Sequence, residues 1–119
     1  MSQVDQLVLR EIENQMSMDT PLLLRMLGTA QSVGASPGTA NDGKVILENV
    51  RRTVRERMCS DRAVRSAHRA TGNSKVVLIA AVADCIAGAI TGVSPITVAV
   101  LLVREGLEVV CKEIWSVES

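Results

Sequence analysis

The sequence predicts an all-α fold, a compact bundle of five or six helices ending in an antiparallel αα-hairpin, and three observations lead there. Apolar residues recur at intervals of three and four along most of the chain, the period of a helix that buries one face. A capping residue stands before proline twice, at Thr20-Pro21 and at Ser94-Pro95, which is a helix start signal. Hydrophobic residues make up 47% of the chain, yet Trp115 is the lone aromatic, so the core must be aliphatic. Sandwiches and barrels of this size draw on aromatic and Thr-rich strands instead. The length of 119 residues suits one core, so residues 1–119 are read as a single helical domain.

Taken in order, Val4, Leu7, Val8, Ile12 and Met16 share one face and predict a first amphipathic helix. Asp19 or Thr20 caps a second helix that begins at Pro21, carries Leu22, Leu23, Leu24, Met26 and Leu27, and runs to about Gly34. Pro37, Gly38, Asn41 and Asp42 mark a loop over residues 34–42. A third helix starts near Asp42 or Gly43 and reaches Met58, with Ile46, Leu47, Val50, Val54 and Met58 inward. Ser60 and Asp61 cap a short fourth helix, residues 61–70, that ends at Gly72. Asn73 and Ser74 cap the next, expected from Lys75 to Gly92, and Ser94 with Pro95 opens a last helix to Trp115.

Those last two helices form the predicted hairpin, about residues 75–115. Ile96, Val100, Val103, Leu107, Val110 and Ile114 are spaced 4, 3, 4, 3 and 4, a sustained heptad-like seam. Ala80, Asp84, Gly88 and Gly92 line one face of the preceding helix, and small residues at that interval let two backbones approach closely. Ala99, Leu102 and Val109 flank that seam and Val98 and Leu101 lie further round the last helix, so it is expected to be central in a bundle or shared between chains. Ile96, Val100, Val103, Leu107, Val110, Ile114 and Trp115 are therefore interface candidates, for a homo-oligomer or another protein. A membrane hairpin is disfavoured, because Asp84 and Pro95 interrupt the run and only nine residues, counted from Pro95, precede Arg104, short of the ~20 needed to span.

Basic and acidic residues balance at thirteen each, but the distribution does not. Residues 1–43 carry net −3, residues 44–75 net +6 and residues 76–119 net −3. Within the basic middle, Arg62, Arg65 and Arg69 share a helical face with His68 at its margin, and Arg51 and Arg55 are paired at i, i+4 on the helix before. Guanidinium groups in a row suit phosphate or carboxylate, so these five arginines are the anion or nucleic-acid candidates. Two helices with a short break also suggest, in outline, a helix-turn-helix. The acidic ends are the competing explanation, since ion pairing inside the chain or between chains would absorb the basic segment.

Enzymatic chemistry finds little support. His68 is the sole histidine, the glycines form no nucleotide fingerprint, and the ExxH and HExxH patterns of helical metal sites are missing. No metal or other cofactor is expected. Cys59, Cys85 and Cys111 form no CxxC pair and are read as reduced thiols, two of them buried, in a cytoplasmic protein, since no apolar run of signal length opens the sequence. Asp84 is the buried charge to watch, an aspartate in an apolar helix that needs an arginine partner or a proton. The function expected from these residues is a noncatalytic helical association module. Nucleic-acid binding through residues 51–69 is the alternative, and a membrane-associated hairpin the second alternative.

Overall fold

Helix starts fall where the capping chemistry places them. In the structure, a computed structural model that describes residues 3–31, 40–70, 75–90 and 93–118, Asp19 Oδ1 accepts from the Leu22 amide at 2.9 Å, Asp61 Oδ1 from the Val64 amide at 3.0 Å, and Ser94 Oγ from the Thr97 amide at 3.3 Å. Each side chain satisfies one of the amides that a first helical turn leaves without a partner. The described elements are α1 (Gln3–Met16), α2 (Thr20–Gln31), α3 (Ala40–Cys59), α4 (Arg62–Ala70), α5 (Lys75–Ile86), α6 (Pro95–Glu105), α7 (Leu107–Val110) and α8 (Lys112–Glu118), with no strand among the described residues. The fold is all-α.

The eight helices among the described residues, against the five or six expected, arise mainly from the C-terminal third. The expected continuous helix from Pro95 to Trp115 is broken twice, at Gly106 and at Cys111. Gly106 has φ +106°, a conformation that a residue with a Cβ adopts only at a cost, so the helix turns there instead of continuing the heptad. Upstream, α5 ends at Ile86 rather than Gly92, with a turn over Ala87–Ala89. Most of the predicted loop over residues 34–42, and the stops at Gly34, Gly72 and Gly92, lie outside the described residues.

The core is built around α6. Residues 97–103 are all buried, seven in succession, which exceeds one turn and so requires neighbours on every side. α1, α2, α5 and α7 supply them. Ile12, Leu23, Leu27, Val82, Ile86, Val98, Val100 and Leu102 are among the side chains with essentially no exposure. One polar link crosses this core: Thr97 Oγ1 donates to Gln15 Oε1 at 2.7 Å, and Gln15 Nε2 donates to Glu11 at 2.8 Å. It fixes α1 against the start of α6, because a buried polar group must find its partner there. At the other end of α6 the Arg104 guanidinium donates to Met16 O at 3.0 Å and to Met18 O, closing the C-terminus of α1.

Close backbone approach occurs in a different place from the one the small residues suggest. Asp84, Ala87 and Gly88 are exposed, and a Cβ at Gly88 would meet nothing within 4 Å. The side of α5 that packs carries Leu78, Ile79, Val82, Ala83 and Ile86 instead. Bulky residues are the better filling for a central contact, so Asp84 and Gly88 of the small-residue stripe face outward while Ala80 still packs against the core, and Gly92 lies outside the described residues. The tight crossing is between α2 and α3, where a Cβ on Gly43 would stand 1.9 Å from the Leu24 carbonyl oxygen.

The cysteines also depart from expectation. Cys59 at the end of α3 and Cys111 between α7 and α8 form a disulfide, with Cα atoms 5.5 Å apart. Only Cys85 is a free thiol. The two bonded residues are separated by 52 positions, and nothing in a sequence spacing of that kind announces a pair.

Candidate functional site

Helix α4 sorts its residues by period. Val64 is fully buried and Ala67 packs against the core, so Arg62, Arg65, Ser66 and Arg69, at i, i+3, i+4 and i+7, come together on the opposite side. They line a shallow groove of about 430 Å³. Arg62, Ser66 and Arg69 are exposed, and among the described residues no ion pair engages Arg62 or Arg69.

Behind the groove stands Trp115, carried there by α8. The Arg65 guanidinium carbon lies 5.7 Å from the centre of the indole ring, and the His68 ring lies 5.3 Å from it at 43°. The indole Nε1 donates to Cys59 O at 2.9 Å. A guanidinium over an aromatic face is attracted to the ring and loses freedom before any ligand arrives. His68 Nε2 is also 3.7 Å from a carboxylate oxygen of Glu108, whose side chain is 83% exposed. The arrangement presents a short row of cationic donors, one of them pre-positioned, and no nucleophile-base pair. Guanidinium groups in such a row are suited by their chemistry to an anionic ligand.

Only three of the five candidate arginines belong to this face. Arg51 is engaged within the chain, donating to Glu105 through both terminal nitrogens with Glu48 at 3.9 Å, and its ordinary pKa is raised chiefly by the hydrogen bond to Glu105. Arg55 is half-buried, with its Nε sealed from water and lacking a hydrogen-bond partner among the described residues. The i, i+4 pair on α3 therefore does not extend the groove. The reason is the disposition of α3, which turns Arg51 toward the end of α6.

The hairpin candidates occupy different surroundings from those a shared interface requires. Val100, Val103, Leu107 and Val110 are at most 6% exposed, so they already pack inside one chain. Ile96, Ile114 and Trp115 are half-buried and packed against the core. The broken C-terminal helix folds the seam back on the bundle, which leaves no continuous stripe facing outward. Asp84 is corrected as well: it is exposed, because α5 buries Val82, Ala83 and Ile86 and the intervening position faces solvent. It needs no buried partner.

A second hollow, about 550 Å³, lies between α2, α3 and α6 over an aliphatic floor of Leu24, Leu47 and Leu101. Arg104 and Glu105 on its rim are both held by contacts within the chain. Cys85, half-buried, donates to Arg57 O at 3.6 Å, and its thiol is pushed up to about 11, first by burial and then by Asp61. Such a thiol stays protonated and unreactive near neutrality. Among the described residues no group of three or more His, Cys, Asp or Glu is placed to hold a metal ion, and no helix is long and apolar enough to cross a membrane.

Sequence reasoning located the three arginines but separated them from the aromatic ring. Trp115 is 50 positions from Arg65, and only the fold of α8 onto α3 and α4 unites them. Ser66 was overlooked, although its place between Arg62 and Arg69 at helical spacing was a readable signal. No protein-family model, curated protein or solved structure matches this chain.

Proposed function

We propose that the chain is a noncatalytic association module that docks an acidic segment of a partner polypeptide on the α4 face. The observation that supports it is the groove of Arg62, Arg65, Ser66 and Arg69, with two of its arginines outside any ion pair among the described residues. Carboxylates are recognised by guanidinium forks, and the cation row supplies orientation and partner choice more than raw affinity. A short acidic segment suits the size of α4, where the row from Arg62 to Arg69 spans about 10 Å at ~1.5 Å per residue. The partner is either a second copy, which makes the chain a homo-oligomer, or a component of a larger assembly. A cytoplasmic setting is part of this proposal, with burial shielding the Cys59–Cys111 bond there.

Nucleic acid is the second reading, favoured by the same arginines, which would serve phosphates equally well. The net −3 of residues 1–43 and of residues 76–119 weighs against a long polyanion, which would meet those ends as it left the groove. The test is fluorescence anisotropy of a labelled oligoglutamate peptide and of labelled single-stranded and duplex oligonucleotides, each titrated at low salt. Binding of the peptide with weaker binding of the oligonucleotides supports the proposal. Tighter oligonucleotide binding transfers the face to the second reading, and failure of every probe removes both.

A further inference from the structure

Resting on the α4 docking reading, we propose that the thiol state of Cys59 and Cys111 regulates that face: the disulfide clamps α8 so that Trp115 backs Arg65, and reduction loosens the clamp and weakens anion binding. Cys111 is the residue at which α8 begins to project, and Trp115 follows it by one helical turn, its amide donating to Cys111 O at 2.9 Å. Cys59 is the residue whose carbonyl accepts the indole N–H. The covalent link and the hydrogen bond thus join the same two elements, and they hold the ring that orders the Arg65 guanidinium.

Beyond the bond and the indole hydrogen bond, α8 itself is attached through half-buried Ile114 and through the Trp115 contacts with Arg65 and His68, while α7 before it is anchored by buried Leu107 and Val110. Gly106 interrupts the chain before α7, Cys111 interrupts it again before α8, and α8 packs against α3 and α7. Cys59 and Cys111 are fully buried, so a reductant reaches the bond only when that segment swings away from α3. A dithiol then supplies two electrons and two protons: the sulfur–sulfur bond breaks, both cysteines become thiols, and the dithiol closes into its own disulfide. The protonated Cys85 thiol takes no part, since the thiolate is the attacking form.

The full chain carries its own reporter, because Trp115 is its one tryptophan. Thiol titration of the oxidised, denatured chain should count one cysteine, and three after dithiothreitol. Reduction should shift Trp115 emission to the red, increase its quenching by iodide, preserve far-UV circular dichroism, and lower affinity for labelled oligoglutamate about tenfold. The Cys59→Ser/Cys111→Ser chain should reproduce the reduced state without reductant. The clamp is overturned if the untreated chain titrates three thiols, if emission and affinity are unchanged on reduction, or if helicity collapses so that the bond is only a staple. Equal peptide binding by both forms leaves the docking face standing without the clamp, whereas binding by neither removes the docking reading itself.

Discussion

Adding one methyl group at Gly43 tests whether α2 and α3 cross as closely as the structure has them. In an ordinary helix interior, glycine to alanine stabilises by about 1 kcal/mol through propensity. At Gly43 the new Cβ would lie 1.9 Å from the Leu24 carbonyl oxygen, 2.5 Å from its carbon and 2.8 Å from its Cα. An ordinary contact needs 3.4 Å or more, so α3 must retreat by about 1.5 Å, and a backbone neighbour cannot rotate away as a side chain can. That retreat opens the contacts of Leu24 and Leu27, which are 6% and 1% exposed. Overpacking of this kind costs about 1–3 kcal/mol, and the backbone obstacle puts Gly43→Ala at the upper end or beyond. Gly88→Ala is the control, with open space around its Cβ and no positive φ, and it should be neutral or stabilising by about 0.4–1 kcal/mol. Urea denaturation followed by circular dichroism reads both. A Gly43→Ala chain as stable as the parent would refute the close crossing and the packing derived from it.

Three further outcomes follow from the core and the free thiol. Val103→Asp places an unpaired charge where the side chain is 6% exposed, so helicity should be lost with a destabilisation above about 4 kcal/mol; a folded variant of lower mass by light scattering would restore Val103 to an interface. Thr97→Val leaves the buried Gln15 oxygen without its donor and should cost about 1–3 kcal/mol by chemical denaturation. The folded Cys85 thiol titrates near 11 against an ordinary 9.0, so the unfolded chain releases its proton first. Stability is therefore unaffected by this group below about pH 9, falls between about pH 9 and pH 11, and levels beyond, a decline that pH-dependent unfolding should detect and Cys85→Ala should lessen.

Local signals were the legible part of this fold. Asp19, Asp61 and Ser94 cap the helices they were expected to cap, because an N-terminal turn is satisfied within three residues. The inward face of α3 followed from periodicity, and the central place of α6 from its apolar residues running round the whole circumference. Long-range features were not legible. A stripe of small residues has the same spacing whether it packs, as expected for Ala80 to Gly92, or faces water, as Gly88 does. Gly106 stands inside an unbroken apolar period, and its positive φ is a tertiary choice made when the C-terminal segment folds back toward α3. That same fold closes the Cys59–Cys111 bond and brings Trp115 to Arg65, so one unread turn concealed both the disulfide and the aromatic side of the candidate site.

The central claim is that α4 is the docking face, and charge reversal on its two exposed arginines tests it most directly. Arg62→Glu/Arg69→Glu alters side chains that face solvent and enter no ion pair among the described residues, so unfolding midpoint and circular dichroism should match the parent. Anisotropy with labelled oligoglutamate at low salt should then show at least about a hundredfold loss of affinity, equivalent to about 2.7 kcal/mol. Equal affinity in the parent and the charge-reversed chain would contradict the account and place any acidic partner elsewhere on the molecule.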